Sequence, residues 1–274
     1  MLRAPIARKI LMTEAAAAKP RKPRYPATVK RVVHLTPRMV RVTFTSPELA
    51  EFAWNGPAAH IKLIFAHTTP VADSATPAAE ASRPAMRTYT PRRFDRDACE
   101  LDVDFMLHGE GPASSWAAQA TVGQTLTVAG PGRNYVVDTT ADWFLLAGDD
   151  TAIPAISTIL ESLPPAASAM VFLEVEDRDD EVEIPAHPHA TITWLHRGSD
   201  ATHAGGPLEA SLRNYPFPEG SGRIYVACES GAMRRIRTLL LTDKTINREH
   251  VVTRGYWKLG AVDHPDGDYG QDKS

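Results

Sequence analysis

The rhythm of apolar residues changes near position 138, and that change constrains the fold more than any other feature of this chain. Before it, apolar and polar residues alternate: Leu101, Val103, Phe105 and Leu107 against Glu100, Asp102 and Asp104. Val40, Val42 and Phe44 alternate with Arg41, Thr43 and Thr45, and Ile61, Leu63 and Phe65 with Lys62 and Ile64. Side chains of an extended chain point alternately to opposite faces, so this pattern predicts half-buried antiparallel strands. About six such strands, the last at Thr125–Val128 closed by Gly130-Pro131-Gly132, predict a small antiparallel barrel. One helix, from Pro112 to about Ala120, interrupts it. After Val137 the runs become continuously apolar, as in Trp143-Phe144-Leu145-Leu146-Ala147-Gly148. Met170–Val175, Thr191–Trp194 and Arg223–Ala227 repeat that signal, with Val251-Val252 as a last strand. Helical stretches at 151–163, 208–213 and 230–241 are interleaved, which predicts an open α/β sheet. The expected organisation is a flexible tail over 1–23, a barrel domain over 24–138, an α/β domain over 139–262 and a second flexible tail over 263–274.

Composition narrows the function classes. A chain of 274 residues that is 43% hydrophobic and 23% charged reads as soluble and globular. A net charge of −3 argues against a general nucleic-acid binder. No run approaches the roughly 20 apolar residues needed to cross a bilayer, and Ile10-Leu11-Met12 is too short for a secretory signal. Cys99 and Cys228 supply neither a four-cysteine cluster nor a zinc ribbon, and read as reduced thiols of a cytoplasmic protein. His187, His189, His196 and His203 lack an accompanying ligand pattern, so no metal site is expected. The stretch 66–84, rich in Ala, Pro, Thr and Ser, reads as a long loop, either a lid or an indifferent insertion.

Two pieces carry chemistry. Arg87-Thr88-Tyr89-Thr90 offers a fixed cation, an aromatic plane and a hydroxyl. If extended, it points Arg87 and Tyr89 to one face and Thr88 and Thr90 to the other. About twenty residues later, His108-Gly109-Glu110-Gly111-Pro112-Ala113-Ser114-Ser115-Trp116 is a glycine-rich turn opening a helix, whose unpaired N–H groups suit a pyrophosphate. Its antiparallel-looking neighbours exclude the usual dinucleotide fingerprint. Gly148-Asp149-Asp150-Thr151-Ala152 does lie between a strand and a helix, where α/β sheets gather ligands, and is the better place for a nicotinamide nucleotide. Ordinary helix capping by Asp149, Asp150 or Thr151 is the alternative.

Together with Gly255-Tyr256-Trp257-Lys258-Leu259-Gly260, these blocks resemble the siderophore-interacting protein family. Its members are cytoplasmic FAD-containing ferric-siderophore reductases of the ferredoxin-reductase-like superfamily. The resemblance runs from about Tyr25 to Gly260 and implies a barrel that binds FAD and an α/β domain that binds NAD(P)H. It places Arg87 on the FAD phosphate, Tyr89 on the ring face and Thr90 at the ring edge, with Thr88 in the same motif. His108 and Gly109, after Asp104, would line the sugar-alcohol chain and phosphates. Gly111, Ala113, Ser114, Ser115 and Trp116 would secure the pyrophosphate and adenine side. Gly148, Asp149, Thr151 and Ala152 would meet the nicotinamide nucleotide, and Tyr256 and Trp257 border the flavin or pack in the core. Lys62, Arg133 and Lys258 match basic positions of the family's substrate pocket, suited to an anionic ferric chelate of catecholate type. The resemblance further implies a monomer that needs no acid or base at the iron. The acidic run Glu174–Glu181 leaves NADPH against NADH open, with Arg178 and Arg197 as candidate cations for a 2′-phosphate. Arg234, Arg235 and Arg237 read as a solvated helix face. The rivals are a flavin reductase with another acceptor and a siderophore carrier that does not turn over.

Overall fold

A computed structural model describes residues 22–65, 84–108, 111–199, 203–262, 264–265 and 267–270. Most of the loop expected at 66–84, nearly all of the first tail, and Gly109 lie outside the described residues.

The first sheet contains β1 (Arg24–Thr36), β2 (Met39–Thr45), β3 (Ile61–Phe65), β4 (Ala85–Tyr89), β5 (Pro91–Asp95), β6 (Glu100–Met106) and β7 (Thr125–Ala129). Its order is β4-β3-β7-β1-β2-β6-β5, every pair antiparallel. The two edge strands are therefore neighbours in sequence, separated only by Thr90. Residues 85–95 act as one bent strand that pairs with β3 before the bend and with β6 after it, curling the sheet on itself. Counted so, the expected six strands are present. Pro91 opens the second half; it has no N–H to donate and holds the preceding residue extended. The predicted alternation is visible in β3, where Ile61, Leu63 and Phe65 are buried and Lys62 and Ile64 are not. The helix α1 (Pro112–Ala118) closes one side of the curl and packs Trp116 against Phe44, Phe65 and Phe105, at centroid distances of 6.0, 5.5 and 5.7 Å.

The second sheet is wholly parallel, in the order β10-β9-β8-β11-β12. It contains β8 (Trp143–Asp149), β9 (Ser168–Val175), β10 (Ala190–His196), β11 (Gly222–Glu229) and β12 (Val251–Trp257). The helices α2 (Ile153–Ser162), α3 (Gly206–Asn214) and α4 (Ser230–Thr238) lie between them in sequence. Strand β8 is central and buried along its whole length, which is why it reads as an unbroken apolar run. Strand β12 extends beyond the expected Val251-Val252 through Trp257. As an edge strand it buries alternate residues, and Arg254 interrupts the apolar signal.

Two further expectations are corrected. Arg234, Arg235 and Arg237 are not simply a solvated face: Arg234 Nη2 pairs with both Asp268 oxygens at 2.9 and 2.8 Å, and Arg235 Nε with Glu209 at 2.7 Å. Arg237 is 9% exposed and donates to Thr253 Oγ1 at 3.1 Å. The described residues from His264 to Gly270, expected to belong to a flexible tail, are bonded to α4 and β12 through Asp268 and Tyr269.

Polar clamps join the two sheets. Arg38, in the turn between β1 and β2, donates to Glu176 and Asp180, each at 2.6 Å. Arg92 on β5 forms a bidentate pair with Glu161 on α2 at 2.9 and 3.1 Å, and the Ala58 amide donates to Thr158 Oγ1 at 2.9 Å. Arg38→Ala would leave the 4%-exposed Asp180 without its cation, and Asp180 Oδ1 already lacks a partner. The expected loss is about 2 kcal/mol, less than for a fully buried pair because the guanidinium is one-third exposed. Equilibrium urea unfolding measures it; an unchanged unfolding free energy would mean that the clamp contributes no stability.

Candidate functional site

The bend at Thr90 faces a cleft between the sheets. Lys62, Arg87, Thr88, Tyr89, Thr90, Asp104, His108, Gly111, Ala113, Ser114, Arg133, Thr151 and Lys258 all line it. Residues from both halves of the chain thus meet in one cleft. Tyr89 packs against Phe105 with ring centroids 4.5 Å apart, and burial pushes its phenol above the usual range. Thr90 is 8% exposed, and across the cleft the Tyr256 hydroxyl lies 2.8 Å from that of Tyr225. On β3 and β4, Lys62 sits opposite Thr88, and its Nζ donates to Thr88 Oγ1 at 3.3 Å. Arg87 Nη1 donates to the Met86 carbonyl at 2.8 Å.

Among the described residues, the expected Ser115, Trp116, Gly148, Asp149 and Ala152 do not line the cleft. Trp116 is partly buried and packs against the barrel core, and Ser115 lies beside it on α1. Ser114 reaches the cleft, but its hydroxyl accepts the His108 amide at 2.9 Å. Gly148 supports the sheet: a Cβ there would stand 2.5 Å from both the Ala227 carbonyl and Ala152 Cβ. Ala152 is fully buried beneath the same turn. Asp149, 2% exposed, accepts from the Thr151 amide at 3.1 Å, the Glu229 amide at 2.9 Å and Trp257 Nε1 at 2.7 Å. It caps the turn and ties β12 to β8. Burial, followed by the neighbouring Asp150, pushes its carboxyl up to about 7 against the pull of those hydrogen bonds. Capping, the alternative open at the sequence level, describes Asp149 here.

The candidate cation Arg197 pairs with Asp150 at 2.6 Å, and its Nη1 is buried without a partner. Arg178 is exposed. In the acidic run, Glu174 accepts the Gly205 and Leu208 amides at 2.6 and 3.0 Å, starting α3, while Glu176 and Asp180 hold Arg38. Among the described residues no three His, Cys, Asp or Glu side chains converge as metal ligands; His196 meets Glu181 and His187 meets the Pro164 carbonyl. Cys228 is buried, which pushes its thiol well up, and Cys99 is half-buried; neither is in a disulfide. No helix of the described residues is long and apolar enough to cross a membrane.

Charge distinguishes the cleft from the rest of this mildly acidic chain. Its described lining contains Lys62, Arg87, Arg133, Arg254 and Lys258. The lining carboxylates are Asp104 and Asp150; the first forms a bidentate pair with Arg41 at 2.6 and 2.8 Å, the second pairs with Arg197. Sequence reading missed Arg254 and Tyr269. Arg254 carried a signal, because Arg254 and Tyr256 are two apart on a strand and share a face.

These residues fit a flavin nucleotide. Where a Cβ on Gly111 would stand there is no atom within 4 Å, so a phosphate can approach the backbone closely. Arg87 supplies a guanidinium for phosphate, and Tyr89 and Thr90 supply an aromatic plane and a hydroxyl beside it.

Comparison with known proteins agrees with this layout. Residues 28–135 match the siderophore-interacting FAD-binding domain, and residues 141–260 match the siderophore-interacting protein domain. The chain is 34% identical over 239 residues to the ferric vibriobactin reductase ViuB of Vibrio cholerae, covering 84% of this chain and 88% of that one. It is 28% identical over 229 residues to the ferric acinetobactin reductase of Acinetobacter baumannii, covering 82% and 74%. A solved siderophore utilization protein from T. fusca superposes with a TM-score of 0.79 at 34% identity, covering 89% of this chain and 96% of that one. A curled antiparallel sheet followed by a parallel α/β sheet is the ferredoxin-reductase-like arrangement. The chain belongs to the siderophore-interacting protein family.

Proposed function

We propose that this protein reduces Fe(III)–siderophore complexes to Fe(II) with electrons from NAD(P)H passed through FAD, acting as a monomer in the cytoplasm. The observation that carries this reading is one cleft in which the Arg87–Thr90 bend and the cations Lys62, Arg133 and Lys258 come together. When bound, FAD converts the two-electron hydride of NAD(P)H into single-electron deliveries. The chain's own residues bind and orient. Arg87 neutralises phosphate, and Tyr89 presents its ring beside the hydroxyl of Thr90. Lys62, Arg133 and Lys258 attract the hard anionic oxygens that siderophores place around Fe(III), catecholates above all. Reduction to Fe(II) weakens the metal's match to those oxygens, so release requires no acid or base on the protein.

The test is anaerobic: protein, NADPH or NADH, and a ferric tris-catecholate, with Fe(II) trapped by ferrozine. Fe(II) is expected only when protein and nucleotide are both present. Flavin bleaching without Fe(II) would identify a flavin reductase with another acceptor, and binding without bleaching a carrier. In the same assay Lys62→Ala is expected to raise KM for the chelate about tenfold, the loss of one charge–charge contact worth roughly 1.4 kcal/mol. Its flavin spectrum should be unchanged; loss of flavin would move Lys62 to the cofactor site.

A further inference from the structure

The last described residues of the chain reach back into the cleft. Asp268 is 8% exposed and held from several sides. Arg234 Nη2 reaches both of its oxygens, Ser230 Oγ donates to Oδ2 at 2.5 Å, and His264 Nε2 lies 2.9 Å from the same oxygen. The Asp268 carbonyl accepts the Gly255 amide at 2.9 Å, which ties the segment to β12. A buried carboxylate with this many donors is a firm anchor, and removing its donors would leave a charge out of water.

The anchor fixes the next residue. The Tyr269 carbonyl accepts Thr253 Oγ1 at 2.6 Å. The Arg254 guanidinium lies over the Tyr269 ring, 4.5 Å from its centroid. The phenol oxygen accepts a hydrogen bond from Arg133 Nη1 at 3.0 Å. One side chain thus touches a cation on β12 and a cation from the segment that leaves the barrel. We propose that Tyr269 and Arg254 belong to the ferric-chelate site, with Tyr269 holding Arg133 ready for the chelate and Arg254 adding a further positive charge. This rests on the ferric-chelate reading of the cleft given above.

The choice of partner is informative. A carboxylate in place of the phenol would cancel the charge of Arg133, whereas a neutral hydroxyl orients the guanidinium and leaves its charge intact. Ordering a long exposed side chain on binding costs conformational entropy, and a partner already in place removes much of that cost. An anionic chelate oxygen then replaces a neutral acceptor with a charged one, which forms the stronger bond.

The test is a double-mutant cycle on the full chain. Binding of ferric tris-catecholate to the oxidised protein, without nucleotide, is followed by fluorescence quenching. Tyr269→Phe keeps the ring and the anchor and loses only the hydroxyl; it is expected to weaken binding about threefold in the wild-type background and not at all in Arg133→Gln. Arg254→Gln, like Tyr269→Ala, is expected to weaken binding about tenfold. Equal effects of Tyr269→Phe in both backgrounds would overturn the link to Arg133. Wild-type affinity in both Tyr269→Ala and Arg254→Gln would remove the two residues from the site and leave the ferric-chelate reading standing. Absence of binding by the wild-type protein would overturn that reading and this proposal together.

Discussion

Arg87→Ala is expected to purify nearly colourless. Arg87 lies on a half-exposed edge strand, so its loss should leave the barrel core intact. A guanidinium paired with a phosphate is among the stronger polar contacts, and losing about 2.7 kcal/mol of it corresponds to about a hundredfold weaker FAD. Arg87→Lys keeps the charge without the planar fork and should recover part of the affinity. Equilibrium dialysis with FAD, together with the ratio of flavin to protein absorbance, measures both. A fully loaded Arg87→Ala protein would mean that the phosphate is held elsewhere, for instance by the backbone at Gly111.

Gly148→Ala is expected to have the largest effect on stability. The added Cβ would meet the Ala227 carbonyl, which belongs to the neighbouring strand β11 and cannot rotate aside, and Ala152 in the turn below. Strand spacing or the strand-to-turn connection must give way, at a cost of about 3 kcal/mol by analogy with other overpacked cores. Urea unfolding reads this directly. Gly111→Ala is the informative contrast. No atom lies within 4 Å of its new methyl, so stability should fall by about 1 kcal/mol or less through a poorer helix cap, while FAD affinity drops. A stable Gly148→Ala protein would show that the parallel sheet tolerates a wider spacing there.

The parts of this molecule legible in its sequence are those where burial follows a simple period. Strand β8 is enclosed on both faces and reads as six apolar or small residues in a row; β3 alternates because one face is less buried, and β6 alternates although its Asp102 and Asp104 are buried, because Thr43 and Arg41 pair with them. The last strand was cut short because an edge strand at a cleft carries Arg254 and Tyr256 on its ligand-facing side. Roles that depend on distant partners were not legible. Trp116 reads as an adenine neighbour in the sequence, and its packing against Phe44 and Phe65, far away along the chain, is seen only in the fold. Asp149 and Asp150 resemble ligand groups in the sequence, whereas in the fold they are engaged by hydrogen bonds and by the pairing with Arg197. Arg234 takes its partner from a segment that carries no periodic signal at all, and Arg237 takes its own from the edge strand β12.

The bend at Thr90 has a thermodynamic consequence. The first and last strands of the curled sheet are joined there end to end by the chain itself, not by a ladder of hydrogen bonds. The same residues that hold the seam, Tyr89 and Thr90, face the ligand cleft. Closing the seam and binding the cofactor are therefore linked equilibria. FAD at a hundred times its dissociation constant would add about 2.7 kcal/mol to the closed form. Flavin-depleted protein is accordingly expected to exchange the amide hydrogens of β4 and β5 faster than the loaded form, with the parallel sheet unchanged.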